Sequence, residues 1–175
     1  HLVQTVETRD EVHALLHEER YIDLVVPRGS SALVRSIQRE ARMPVMGHAD
    51  GLCAAYIHAD APASLVVPTI LDAKTDYPSA CNAVETLLVH RAHLASGTWA
   101  ALVRALVAAG VTLFLDDELL AAARTAAPDG RLARAEPAHF ATEFLDLALA
   151  ARAVGSVDEA IDHINTHGSG HTDII

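Results

Sequence analysis

The sequence has little positive charge and few aromatic residues. Lys74 is the single lysine among 13 lysine and arginine residues, and the formal net charge is −10. A protein that binds a phosphate backbone needs a basic surface, so we predict that nucleic acid is not a partner. Aromatic residues form only 4% of the chain. That composition favours helices packed on a sheet over an aromatic-rich recognition module.

Cysteines are scarce, and long apolar runs are absent. The two cysteines, Cys53 and Cys81, form neither a metal-ligand spacing nor a disulfide framework, which is typical of free thiols in a reducing compartment. No apolar run approaches the roughly 20 residues that a membrane-spanning helix needs. We therefore expect a cytoplasmic protein without a membrane partner.

Short apolar runs alternate along the chain with amphipathic stretches. The predicted strands cover residues 22–26, 44–46, 53–57, 86–90, 111–115, 147–154 and 172–175. The predicted helices begin after the N-cap Thr8 and at Gly29, and cover 62–73, 99–109, 118–126 and 156–166, while 128–137 is predicted to be a loop. Ser156 and Glu159 are expected to form a capping box at the last helix. This alternation predicts an α/β fold with a largely parallel sheet and flanking helices.

Cys81 lies in a polar loop that is predicted between a helix and a strand. A nearby cation such as Lys74, and the backbone N–H groups of a tight loop, would favour its thiolate. Asn82 and the N–H of Cys81 itself are candidate donors to an oxyanion. A cysteine in an apolar α/β protein is, however, more often a small buried residue than a nucleophile. The residues alone therefore leave both a catalytic and a packing role open.

Residues 72–90, which contain this loop, resemble the nucleophile segment of the gamma-glutamyl phosphate reductase family. The same module forms the reductase half of delta-1-pyrroline-5-carboxylate synthase, and both belong to the aldehyde dehydrogenase superfamily. Further stretches resemble the family in the same order, at residues 22–30, 44–51, 158–165 and 167–173. These separated matches cover nearly the whole chain, so the resemblance is specific and implies an aldehyde dehydrogenase-like fold.

The resemblance implies an enzymatic reaction. NADPH-dependent reduction of gamma-glutamyl phosphate would give glutamate 5-semialdehyde and phosphate through a thioester on Cys81, as a step of proline biosynthesis. It also implies a homo-oligomer at full length and a functional coupling to glutamate 5-kinase. The alternatives are another acyl-group reductase of the superfamily, and a non-catalytic α/β fragment in which Cys81 is silent.

The resemblance also implies a site for NADP(H). Glu143 is similar to the superfamily glutamate that holds the nicotinamide ribose, although residues 137–140 before it depart from the family's acidic, tyrosine-containing version. Gly29 and Ser30 belong to a stretch that lies by the cofactor in the family, and a helix start directly after a strand suits a phosphate. An ordinary helix cap with a flexible glycine explains these two residues equally well.

His48 and Lys74 are further candidates, for supporting the thiolate or binding the substrate. In hydrolytic members of the superfamily a glutamate near the position of His48 activates water, whereas residues 47–50 contain no glutamate. The departure is consistent with a reductase, because hydrolysis of the thioester would compete with its reduction.

The resemblance divides the chain into two parts. Residues 1–46 correspond to the C-terminal part of the NADP-binding domain, and residues 47–175 to the catalytic domain, which is incomplete at its C-terminal end. The chain starts without a methionine and ends in an apolar predicted strand. We therefore expect a fragment of a longer protein.

Three histidines, His163, His167 and His171, follow one another at intervals of four residues. On a helix this spacing places them on one face, where it would suit a zinc site. Gly168 and Gly170 interrupt the helix before His171, and no carboxylate or thiolate motif completes the set. We predict no metal site, and expect exposed or packing histidines instead.

Overall fold

The computed structural model of the chain describes residues 3–47 and 50–175. The chain divides into two compact units, His1–Ala49 and Asp50–Ile175. The helices are α1 Arg9–Leu15, α2 Ser31–Glu40, α3 Ala63–Thr75, α4 Ala92–Ala95, α5 Thr98–Ala108, α6 Asp117–Ala126 and α7 Val157–His167, with a 3-10 helix at Pro137–Ala141. The strands are β1 Cys53–Ile57, β2 Val84–His90, β3 Thr112–Leu115, β4 Leu132–Arg134, β5 Ala148–Val154 and β6 Asp173–Ile174.

The N-terminal unit contains α1 and α2 and very little strand. Thr8 caps α1 through a capping box with Glu11, as its type and position predict. The predicted strands at 22–26 and 44–46 are wrong, because the two segments pair only through one parallel bridge between Val25 and Val45. Pro44 and the proline that ends the first run lack the amide hydrogens that a longer ladder would use. A β-branched run therefore contributes one bridge here and does not form a strand.

The C-terminal unit is built on one six-stranded sheet in the order β4-β3-β5-β2-β1-β6. Every pairing between these strands is parallel. In the central strand β2 the side chains of Leu87, Leu88 and Val89 are completely buried. Such near-continuous apolar strands are typical of a parallel sheet covered on both faces. The prediction of an α/β fold with a largely parallel sheet and flanking helices is confirmed.

Successive residues of β2 face opposite sides of the sheet, so the strand contributes to two cores. Leu87 and Val89 belong to the larger core, which is completed by apolar residues of α3, α5 and α6. Leu88 belongs to a smaller core on the other face, where α7 contributes Ala160. Trp99 of α5 is 1% exposed and donates its Nε1–H to the carbonyl of Leu119 at 3.2 Å, which joins α5 to α6.

Two local features differ from the sequence-based expectation. The predicted loop at 128–137 contains β4, a strand of three residues at the edge of the sheet that carries no buried side chain, so no alternating pattern marks it in the sequence. At α7, the Ser156 hydroxyl accepts the N–H of Glu159 at 3.2 Å as predicted, but the Glu159 carboxylate accepts the N–H of Gly155 at 2.7 Å. The expected capping box is therefore only half formed.

Within residues 3–47 and 50–175, every helix is too short or too polar to span a membrane.

One histidine of α7, His163, is buried. It is 5% exposed, its ring meets Phe140 edge-on at 5.1 Å, and Arg152 Nη1 lies 3.4 Å from its Nδ1. Burial, assisted by electrostatic repulsion from His167 and Arg152, lowers the pKa of His163 to about 4. His163 is therefore neutral in the folded protein at neutral pH.

This burial predicts a loss of stability in acid. Above pH 6.5 neither the folded nor the unfolded chain protonates His163, whereas between pH 6.5 and about 4 only the unfolded chain takes up the proton. The free energy of unfolding should fall across this range, by up to roughly 3 kcal/mol for this group. In urea titrations at stepped pH, His163→Gln should flatten this part of the profile, while His17→Gln, the same change on an exposed side chain, should not. An equal slope in all three proteins would contradict the assignment.

Candidate active site

Three chain segments meet at the amino ends of neighbouring strands. Gly51 precedes β1, the turn that carries Cys81 precedes β2, and residues 143–145 precede β5. These strands are adjacent in the sheet in the order β5-β2-β1, and all run in the same direction. Their amino ends therefore bring together segments that are far apart in the sequence.

Cys81 occupies the centre of a tight turn between α3 and β2. The N–H of Ala80 donates to the carbonyl of Tyr77, and the N–H of Ala83 to the carbonyl of Ala80, each at 3.0 Å. Two turns thus follow one another, the first with a proline at its second position, where proline is favoured. The second turn places Cys81 and Asn82 at its tip, where both are exposed. Cys81 therefore lies in the loop that was predicted between a helix and a strand, and its thiol is exposed there.

Hydrogen-bond donors are available at this tip. Within residues 3–47 and 50–175, neither the N–H of Cys81 nor the side chain of Asn82 donates a hydrogen bond to the protein. Donors that are held in place without a partner can bind an oxygen atom on which negative charge develops. The turn therefore combines an exposed sulfur atom with two donors that have no partner among the described residues.

Cys53 lies directly beneath this turn and has the opposite environment. It is 2% exposed, its Sγ–H donates to the carbonyl of Cys81 at 3.2 Å, and its sulfur lies 3.8 Å from Nδ1 of His171. Burial raises the pKa of the Cys53 thiol to about 11. Cys53 therefore stays protonated near neutral pH and supports the backbone of the turn.

Gly51 links the Cys81 turn to Glu143. Its N–H donates to Oε1 of Glu143 at 3.1 Å. A Cβ atom at this position would overlap the carbonyl oxygen of Cys81 and would lie 2.7 Å from Oε1 of Glu143. Only glycine fits this close approach, and through it the structure brings the predicted residues Cys81 and Glu143 to one place.

The segment that carries Glu143 is held on both sides. The ring of Phe144 stacks on that of Phe114 with 5.4 Å between centroids. Leu145 has φ of 55°, a left-handed conformation that is uncommon for residues other than glycine. Its N–H donates to Oε1 of Glu85 at 3.3 Å. The conformation of Leu145, two residues after Glu143, therefore depends on the contacts around it.

Lys74 is not available to a substrate in this arrangement. Its side chain is completely buried, and its Nζ donates to Oε2 of Glu85, itself 1% exposed, at 2.8 Å. Burial raises the pKa of the Glu85 carboxyl, and the hydrogen bond from Lys74 and its charge oppose that increase. The expectation that Lys74 supports the thiolate directly or binds substrate is not supported by this position. Its partner is Glu85.

The other sequence-based candidates lie elsewhere in the chain or outside the described residues. Gly29 and Ser30 belong to the N-terminal unit, where the Ser30 hydroxyl caps α2 by accepting the N–H of Leu33 at 3.4 Å. Gly29 has φ of 147°, a backbone conformation that favours glycine. An ordinary helix cap therefore accounts for both residues. His48 lies outside the described residues.

The histidine series is divided by the structure. The rings of His163 and His167 lie 4.6 Å apart, and His171 follows the end of α7 and contacts Cys53. In the described part of the chain, no three histidine, cysteine, aspartate or glutamate residues are grouped as metal ligands.

Three residues of the site were missed by sequence reasoning: Gly51, Cys53 and Glu85. Glu85 carries a usable signal, because a carboxylate within an apolar strand needs a buried partner, and Lys74 is the single lysine of the chain. Gly51 carries no comparable signal, since its contacts are with residues 30 and 92 positions further along the chain.

Comparison with known proteins first defines the class. The fold matches that of an acetylating aldehyde dehydrogenase from Geobacillus thermoglucosidasius with a TM-score of 0.66 and 21% identity, over 95% of this chain and 43% of the other. It also matches an NADP-dependent glyceraldehyde-3-phosphate dehydrogenase from Bacillus halodurans, complexed with NADP, with a TM-score of 0.66 and 22% identity, over 92% of this chain and 41% of the other. The fold is that of the aldehyde dehydrogenase class. No family model matches the sequence.

Closer similarity is to one family within that class. A probable gamma-glutamyl phosphate reductase from Schizosaccharomyces pombe is 47% identical over 176 residues, which cover 99% of this chain and 38% of the relative. The crystal structure of gamma-glutamyl phosphate reductase from Thermotoga maritima matches with a TM-score of 0.84 and 32% identity, over 95% of this chain and 38% of the other. The predicted resemblance is confirmed: the chain is similar to a segment of gamma-glutamyl phosphate reductase. It spans about two fifths of the length of these relatives.

The two thiols should react at very different rates. At neutral pH, iodoacetamide should alkylate Cys81 at least about tenfold faster than Cys53, because only a thiolate that solvent can reach is an effective nucleophile. Peptide mass spectrometry during a time course measures both rates in one sample. Denaturation in urea serves as the control and should bring the two rates together. Preferential labelling of Cys53 in the folded protein would contradict the site described above.

Proposed function

We propose that the protein carrying this chain is an NADP-dependent oxidoreductase that reduces gamma-glutamyl phosphate to glutamate 5-semialdehyde and phosphate in proline biosynthesis. The observation that carries the proposal is the exposed Cys81 turn, joined through Gly51 to Glu143. It is supported by 47% identity to a probable gamma-glutamyl phosphate reductase over 99% of the chain.

The Cys81 turn suits nucleophilic attack on an acyl phosphate. The Cys81 thiolate would attack the acyl carbon, phosphate would leave with the electrons of the broken C–O bond, and a thioester would remain. The N–H of Cys81 and the side-chain amide of Asn82 would stabilise the negative charge that develops on the acyl oxygen. When bound, NADPH would supply the hydride that reduces the thioester. Release of the aldehyde then returns the thiolate of Cys81.

The chain's own residues fit a nicotinamide cofactor at two places. Glu143 is half-buried, and within the described residues its Oε2 accepts no hydrogen bond, while Oε1 is taken by Gly51. A fixed carboxylate with one free oxygen is suited to the hydroxyl groups of a ribose. In the N-terminal unit, the start of α2 at Gly29 and Ser30 would hold a phosphate. The Bacillus halodurans protein of the same fold class is complexed with NADP.

Further assignments follow from the same proposal. Residues 1–46 would complete a cofactor domain, and residues 47–175 would form the catalytic part. The full-length protein would act in the cytoplasm as a homo-oligomer. A functional coupling to glutamate 5-kinase would shorten the exposure of the acyl phosphate to water.

A direct assay of the full-length protein tests the function. The wild type should oxidise NADPH in the presence of gamma-glutamyl phosphate, and Cys81→Ser should lower kcat/KM by at least roughly a thousandfold, because an alcohol is a far weaker nucleophile. Unchanged urea stability of the variant is the control for folding. Activity that survives Cys81→Ser would remove Cys81 from the reaction. Reduction of other acyl phosphates alone would favour a sibling reductase, and no reduction at all would favour a non-catalytic module.

The lack of a glutamate at residues 47–50 predicts how the thioester is resolved. In the oxidative direction, with glutamate 5-semialdehyde and NADP, the full-length protein should require phosphate or arsenate for turnover, because water is not activated. The rate of NADPH formation at increasing anion concentration measures this dependence. A rate that is independent of both anions would mean that water resolves the thioester. His48→Ala would then test His48 as the base, since an unperturbed histidine titrates near neutrality.

A further inference from the structure

Lys74 and Glu85, which are 0% and 1% exposed, form an ion pair inside the protein. Removing two charges from water is costly, and an apolar pair of the same volume is often equally stable or more stable. The pair is therefore a weak device for stability alone. Its position relative to the Cys81 turn and Glu143 indicates another role.

The pair closes the base of the turn that carries Cys81. Lys74 lies in the last turn of α3 and Glu85 is the second residue of β2, eleven positions further along the chain. The bond from Nζ of Lys74 to Oε2 of Glu85 at 2.8 Å therefore joins the two ends of the segment that contains the candidate nucleophile.

The second oxygen of the same carboxylate holds the Glu143 segment. Oε1 of Glu85 accepts the N–H of Leu145 at 3.3 Å. Leu145 has the one positive φ among the described residues other than glycine, and such a conformation persists where surrounding contacts determine it. Two residues earlier, Glu143 accepts the N–H of Gly51 beside the carbonyl of Cys81. A displacement of Glu85 would therefore move Glu143 relative to Cys81.

We propose that Lys74 and Glu85 are positioning residues that hold the Cys81 turn and the Glu143 segment to one buried carboxylate. Both are inaccessible to a substrate, so they act only through Cys81 and Glu143. For its kinetic consequences the inference rests on the proposed function. For its structural consequence, the dependence of the Leu145 backbone on Glu85, it does not.

Two double variants of the full-length protein isolate the bond to Leu145. Lys74→Met with Glu85→Leu removes both charges and the acceptor, whereas Lys74→Met with Glu85→Gln removes both charges and keeps a carbonyl oxygen for the Leu145 N–H. In the leucine variant, amide exchange at Leu145 should accelerate at least about tenfold, because the hydrogen bond is lost. In the glutamine variant it should stay within about threefold of the wild type. Arg134→Met, which breaks an exposed 2.8 Å pair with Asp117, is the control and should change neither.

The kinetic readout separates positioning from folding. The leucine variant should have at least about a tenfold lower kcat, since misplaced groups lose reactive geometry, and a higher KM for NADPH. The glutamine variant should recover most of the wild-type kcat and of the wild-type KM for NADPH, although its urea stability equals that of the leucine variant. Equal exchange and equal kinetics in the two variants would overturn the proposal.

A measurement on the wild type keeps the test independent of whether the variants fold. The Leu145 amide should exchange as slowly as amides of β2, although its residue is exposed; fast exchange would overturn the proposal. If the wild type did not reduce gamma-glutamyl phosphate, the proposed function would fail, and amide exchange alone would still decide the positioning role.

Discussion

The arrangement of the site depends on the burial of β2 on both faces. Leu87 and Val89 pack into one core and Leu88 into the other. A slip of one residue would exchange these faces and would misfit the side chains of both cores, which favours the observed register of β2 with β1 and β5. Because all three strands are parallel, the segments before them arrive at the same edge of the sheet. Strand pairing therefore brings Cys81 and Glu143 to the same edge of the sheet.

Polar contacts then fix the segments at this edge. Cys53, at the first position of β1, donates to the carbonyl of Cys81 from below, and Gly51 fills the space where a side chain would separate Cys81 from Glu143. The carboxylate of Glu85 accepts hydrogen bonds from the side chain of Lys74 and from the N–H of Leu145. Each of these contacts uses a backbone group or a buried side chain. The exposed tip, with Cys81 and Asn82, is consequently left free to react.

Sequence reasoning predicts the elements of this fold better than their connections. Strong apolar runs such as 53–57 and 147–154 mark β1 and β5 closely, because a buried parallel strand needs apolar side chains on both faces. Strand β4 gives no such pattern, since it has three residues and no buried side chain. The runs around Val25 and Val45 have strand-like composition but pair with each other through only one bridge. Composition reports the local preference, whereas pairing depends on a partner elsewhere in the chain.

The same distinction applies to the site. The polar loop marked Cys81 and Asn82 as candidates and the family resemblance favoured a catalytic role for Cys81, whereas Glu143 was found through the resemblance alone. The exposure of Cys81 agrees with its place in a polar loop. The predicted role of Lys74 illustrates the limit: proximity in sequence to Cys81 suggested a direct effect on the sulfur, but the charge is matched by Glu85 inside the protein. When a chain has a single lysine and an apolar strand nearby contains one carboxylate, the simpler prediction is that the two side chains form a buried ion pair. The general consequence is that groups which never touch a ligand can determine where the reactive groups lie, and in this chain those groups are the buried ones.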